Sequence, residues 1–71
     1  MIPAPRRLKA FPDAERVKPK SSRHRWFDEG AGYTYQWDYQ HGRVERYDRR
    51  GRHLGEFDAD TGAMTKPASP G

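Results

Sequence analysis

Residues 33–58 read YTYQWDYQHGRVERYDRRGRHLGEFD, and the spacing of their aromatic residues decides the fold. Tyr33, Tyr35, Trp37 and Tyr39 alternate with Thr34, Gln36, Asp38 and Gln40, the period-two pattern of a strand with one aromatic and one polar face. An aromatic residue followed by aspartate recurs every ten residues, at Phe27-Asp28, Trp37-Asp38, Tyr47-Asp48 and Phe57-Asp58, and glycine follows each pair within four residues. That is turn chemistry: aspartate accepts from the backbone just after it, and glycine takes up positive φ. Short aromatic and β-branched runs between evenly spaced turns predict an antiparallel β-meander. Its strands are expected at about 32–39, 43–48 and 52–58, with a short fourth near 62–66.

Outward from this stretch the composition changes. Residues 1–26 carry eight basic and two acidic residues and four of the six prolines, whereas residues 27–71 carry six basic and eight acidic. The sequence therefore divides into a basic, proline-containing N-terminal arm, 1–25, and a sheet domain, 26–71. Within the arm PDAERVK has the length for one or two helical turns, marginal without docking; the rest is expected to be extended. A cationic arm suits polyanions, whose counterions it releases without reading sequence; on charge alone a solvated leader fits equally well. Only 32% of the 71 residues are hydrophobic, so the core is small, and the absence of cysteine excludes disulfides and thiolate metal sites. No apolar run approaches a membrane span, and no stretch has the pattern of a signal peptide.

Asp38, His41 and Glu45 lie within eight residues. The sister aspartates at 28, 48 and 58 make a turn role sufficient for Asp38 alone. With His41-Gly42 at the centre of a two-residue hairpin turn, however, Asp38 pairs with Glu45 on the polar face. Opposed like charges are destabilising, and a structural role gives no reason to accept that. A site that needs one carboxyl of raised proton affinity does. A carboxylate that takes a proton from a hydroxyl, a histidinium that gives one to a leaving oxygen and a second carboxylate that orients the ring suffice for metal-independent RNA cleavage. There the substrate's own 2′-hydroxyl is the nucleophile. His24, His41 and His53 with the carboxylates match no familiar metal-ligand spacing, so no metal and no cofactor is expected. Lys18, Lys20, Arg23, Arg25, Arg43 and Lys66 are the expected RNA contacts, and Trp26 is expected either to stack on RNA beside Arg25 or to pack in the core.

The run from Arg25-Trp26 through W-D-x-x-H-G-x-x-E-x-Y (Trp37, Asp38, His41, Gly42, Glu45, Tyr47) and H-L-G-x-F-D (His53 to Asp58) to Lys66 resembles the cytotoxic ribonuclease domain of the E-group colicins that cut small-subunit ribosomal RNA. The likeness runs from about Leu8 to the end. It implies a mainly β fold: a compact, strongly twisted antiparallel sheet with a basic N-terminal segment. It also implies one cut at the decoding A site of the ribosome, which stops translation in the cytoplasm of a target bacterium, and an acidic immunity protein as partner. No DNA or membrane partner follows from it, and delivery would fall to parts absent from this chain. The family's catalytic aspartate, histidine and glutamate fall on Asp38, His41 and Glu45. Its members also carry a catalytic arginine shortly after the lysine and prolines that read here Lys66-Pro67-Ala68-Ser69-Pro70, whereas this sequence stops at Gly71. Either Lys66, Arg43 or an arm residue supplies that charge, or the sequence is truncated or less active; the alternative function is a non-catalytic RNA- or ribosome-binding module of the same fold.

Overall fold

In the computed structural model, which describes residues 1–70, six strands form one antiparallel sheet in sequence order. They are β1 (Glu15–Lys20), β2 (Arg23–Asp28), β3 (Tyr33–Asp38), β4 (Arg43–Tyr47), β5 (His53–Phe57) and β6 (Met64–Pro67). The described residues contain no helix, and so none long and apolar enough to cross a membrane. The expected meander is present, with β3 to β6 close to their expected places.

The four aspartates of the repeat build four similar turns. Asp28, Asp38 and Asp58 each accept the N–H of the glycine four residues on (Gly32, Gly42 and Gly62) at the backbone carbonyl, at 2.7, 2.8 and 2.9 Å. Their side-chain Oδ1 atoms accept from N–H groups inside the turn. Asp48 does the same one residue tighter, with Gly51. The glycines at these ends have φ of +66 to +80°, where a side chain would be strained.

The arm departs from expectation. PDAERVK forms no helical turn: its last four residues open β1, and the expected 25/26 boundary falls inside β2. Strand β1 is an exposed edge strand that tolerates Pro19 beside an irregularity in its ladder. It turns into β2 through Ser21-Ser22, both at positive φ, 51° and 61°. Gly71, the last residue of the expected 26–71 sheet domain, lies outside the described residues.

One sheet face carries the core. Trp37, Val44 and Phe57 form one cross-strand row, and Trp26 and Tyr35 begin the next. These side chains are buried together with Leu8, Ala14 and Ala59. Trp26 is thus fully enclosed, which removes it as an RNA-stacking surface. An open sheet needs a cover on its apolar face, and residues 2–14 supply it. Trp26 Nε1 donates to the Arg6 carbonyl (3.1 Å), Trp37 Nε1 to the Ile2 carbonyl (2.8 Å), and Phe11 stacks on Tyr35 with ring centroids 4.8 Å apart. Arg46 enters this layer without an acidic partner among the described residues, its guanidinium 4.1 Å from the ring centre of Phe57 and 4.5 Å from that of Tyr33.

Candidate active site

The opposite face is polar, and its centre is set by register. Arg25, Gln36, Glu45, Glu56 and Lys66 lie side by side across β2 to β6, so two carboxylates stand at the middle of a row with a cation at each end. Asp38 lies one step along β3 and pairs with Arg43. This corrects the expected two-residue hairpin. The Asp38–Gly42 turn holds four loop residues, so Glu45 faces Gln36 on one side and Glu56 on the other, and the opposed like charges are Glu45 and Glu56. Asp38 and Glu45 still share the face, as diagonal neighbours.

Asp38 has two separate uses. Its Oδ1 accepts from the N–H groups of Gln40 (2.9 Å) and His41 (3.3 Å), which builds the turn. With Oδ1 held, Oδ2 is aimed at the His41 ring and lies 2.7 Å from Nδ1. Burial alone would raise the proton affinity of this carboxyl, but the bonds from the His41 ring and from the two N–H groups outweigh it and hold the group below the usual aspartate range. The His41 side chain is 44% exposed, and its Nε2 has no hydrogen-bond partner among the described residues. That atom is free to meet a ligand.

Glu45 is organised from the other side. His53 Nε2 lies 2.6 Å from Glu45 Oε1, and His53 Nδ1 is 3.0 Å from the backbone nitrogen of Ser69. A backbone N–H can only donate, so Nδ1 accepts and the ring proton sits on Nε2, pointing at Glu45. Oε2 of Glu45 is left without a protein partner among the described residues. Tyr47 packs edge-on against His53 with centroids 5.4 Å apart. Burial, reinforced by the charge of Glu45, pushes its hydroxyl above the ordinary tyrosine range, so it stays protonated.

These groups line an open cleft of about 390 Å3 whose walls include Asp38, His41, Glu45, His53 and Glu56, with Arg23 and Lys66 among its cations. A second cleft, about 440 Å3, adjoins it through Tyr47 and is lined by Lys20, Arg25 and Gln36. Of the expected RNA contacts, Arg23 and Lys66 therefore reach the first cleft and Lys20 and Arg25 the second. Arg43 is turned to the carbonyl of His41 (2.9 Å), and Lys18 lines neither cleft. Among the cleft residues that the sequence reading did not place in the site are His53, weighed there only as a metal ligand and as part of a motif, Ser69, and above all Glu56. The repeat held the missing signal, because glycine four residues after Asp28, Asp38 and Asp58 marks a four-residue loop and so fixes the register.

Asp38, His41 and Glu56 also bring one donor atom each within 4.8 Å. Within that set His41 Nδ1 and Asp38 Oδ2 are at hydrogen-bond distance, 2.7 Å.

Residues 2–71 match the family described as Cytotoxic. The chain is 35% identical to cloacin of Escherichia coli over 71 residues, which cover 89% of this chain and 13% of that protein. It is 36% identical to colicin E3 of Escherichia coli over 78 residues, covering 96% of this chain and 14% of that protein, and 34% identical to colicin-E6 of the same organism over 71 residues. The chain thus spans roughly a seventh of the length of these relatives.

Proposed function

Since the chain belongs to the Cytotoxic family of the colicins and cloacin, we propose that it is a metal-independent endoribonuclease toxin that cuts small-subunit ribosomal RNA at the decoding A site and so stops translation. The single observation that carries this reading is the pairing on one face of an oriented imidazole, His41 on Asp38 at 2.7 Å, with a carboxylate, Glu45, whose one oxygen is tied to His53. In the cleavage step the 2′-oxygen of the RNA bonds to its own phosphorus while the bond from phosphorus to the 5′-oxygen breaks. Glu45 Oε2 takes the 2′-hydroxyl proton, and His41 Nε2 gives one to the departing 5′-oxygen. The products are a 2′,3′-cyclic phosphate and a free 5′-hydroxyl.

Asp38 keeps the His41 ring in place and the proton on Nδ1, which leaves Nε2 as the acid. Charge building on the phosphate meets Arg23 and Lys66, both at the cleft. Lys20 and Arg25 extend the cationic track along the RNA backbone, with Lys18 beyond them and Arg43 bracing the His41 turn. An acidic immunity protein as partner, and action in the cytoplasm of a target bacterium, follow from the same family reading.

Incubation with intact ribosomes, with and without chelator, tests it. One short fragment from the 3′ end of the small-subunit RNA is expected, unaffected by chelation and lost in His41→Ala and Glu45→Ala. Ribosome binding with no fragment would leave only a binding module, and cleavage that needs added metal would overturn the mechanism.

A further inference from the structure

Among the described residues one charged side chain is buried, and it belongs to none of the roles above: Glu56, 3% exposed. Its Oε2 accepts the Thr65 hydroxyl at 2.6 Å. Its Oε1 lies 3.8 Å from Nδ1 of His41, the nitrogen that also faces Asp38 Oδ2. No lysine or arginine among the described residues pairs with it, although Lys66 sits opposite in register. Its other cross-strand neighbour is an acid, Glu45. A buried carboxylate beside a second one is costly unless a cation compensates it, and among the described residues the only basic group within ion-pair reach is the His41 ring.

We propose that Glu56 is a positioning residue for His41: its carboxylate is the second support of the ring and complements the positive charge the ring carries when both nitrogens are protonated. Asp38 alone would hold the ring at one point, on a turn and partly exposed. Glu56 acts from β5, fixed by Thr65, and its Oε1 lies 3.8 Å from the same nitrogen, too far for a hydrogen bond but near enough to act through its charge. The remaining charges that face the ring either are committed elsewhere or have the sign that repels it. Arg43 is bonded to the His41 carbonyl, Glu45 to His53, and Arg23 and Lys66 line the cleft without an acidic partner. Glu56 is the acid in this set without a cation of its own.

The part of Glu56 in RNA cleavage rests on the proposed acid role of His41, but the coupling between the two side chains does not and can be measured without RNA. The experiment is a proton NMR titration of the three histidine rings in the whole chain, with His24, which contacts Arg16 rather than an acid, as internal reference. A carboxylate 3.8 Å from the ring favours its protonated form, so Glu56→Gln is expected to move the His41 midpoint to lower pH while that of His24 stays in place. Glu56→Asp keeps the charge and should keep most of the midpoint. Thr65→Val, on the exposed strand β6, frees Oε2 without touching the core and should give part of the shift.

In the ribosome assay Glu56→Gln should lower kcat at pH values above the midpoint, with KM unchanged, and the rate should recover as the pH is lowered. A His41 midpoint that moves by less than about 0.3 of a unit in both Glu56→Gln and Thr65→Val overturns the inference, as does an equal shift for Glu56→Asp and Glu56→Gln. If the midpoint shifts as expected while the unsubstituted chain cuts no RNA, the coupling stands and the ribonuclease reading fails.

Discussion

The two uses of Asp38 can be separated by substitution. In Asp38→Asn the amide oxygen takes the place of Oδ1, because the N–H groups of Gln40 and His41 need an acceptor, and the NH2 group then points at His41 Nδ1. The turn survives, but Nδ1 must now accept. The ring proton moves to Nε2, and the ring loses the carboxylate that would balance its charge. In Asp38→Ala both turn bonds are lost as well. Each is worth roughly 0.5–1.5 kcal/mol, and the one to His41 is long, so the Ala variant should lose about 1–2 kcal/mol. For a domain of this size one kcal/mol moves Tm by about 4–8 °C, so a drop of about 5–15 °C is expected for Ala and less than half of that for Asn. Cleavage should behave differently, falling in both variants by about 10²–10⁴, the range for loss of a positioned proton donor. Thermal melts and the ribosome fragment assay on the two variants read the two quantities separately. An Asn variant as unstable as Ala would refute the turn assignment of Oδ1. An Asn variant that cuts within about threefold of the unsubstituted chain would refute the orienting role of Oδ2.

Gly42 and Gly51 both have positive φ, but a Cβ at Gly42 would come within 2.8 Å of Ile2 Cδ1, whereas one at Gly51 meets nothing within 4 Å. Gly51→Ala should therefore cost about 1–2 kcal/mol in urea unfolding and Gly42→Ala about 0.5–1 more; Ile2→Ala should remove that excess, and equal losses in the two glycine variants would deny the contact. Ser21 and Ser22 take a turn in which asparagine and glycine are favoured, so Ser21→Asn with Ser22→Gly should raise stability by about 1 kcal/mol, and an unchanged or lower Tm would count against the turn geometry. Asp38, Asp48 and Asp58 all titrate below the ordinary aspartate value; at Asp48 and Asp58 the chief cause is backbone N–H bonds, led by Arg52 and Thr61. A lowered folded-state value means that the unfolded chain binds protons first as the pH falls. This contribution is complete above the unfolded value of about 4 and disappears below it as the folded carboxyls protonate. Urea midpoints should accordingly decline below about pH 4, less steeply in Asp48→Asn, and a flat profile down to about pH 2 would contradict the assignment.

How far a sequence of this kind can be read depends on whether a signal is local. The aromatic–aspartate repeat is local, and each turn contains both the acceptor and the glycine it needs, so β3 to β6 were legible. Strands β1 and β2 were not, because ERVKPK has no alternation, contains a proline and turns through two serines with no preference for the turn they occupy. What holds them is the cover on the far side: the carbonyls of Arg6 and Ile2 on the two tryptophans, a contact across 20 and 35 residues. The site divides along the same line. Asp38 with His41 is one turn, and the turn makes it. Glu45 with His53 and Glu56 is a matter of register across β4 and β5, so a shift of one loop length exchanges which acid faces which. The argument from opposed like charges therefore named the wrong pair: the carboxylates that face each other are Glu45 and Glu56, across β4 and β5, and among the described residues the His41 ring is the one basic group within ion-pair reach of the buried Glu56. A central row running Arg25, Gln36, Glu45, Glu56, Lys66 exists only once five strands are in register, which makes the cation-flanked acidic centre a property of the sheet and not of any one motif.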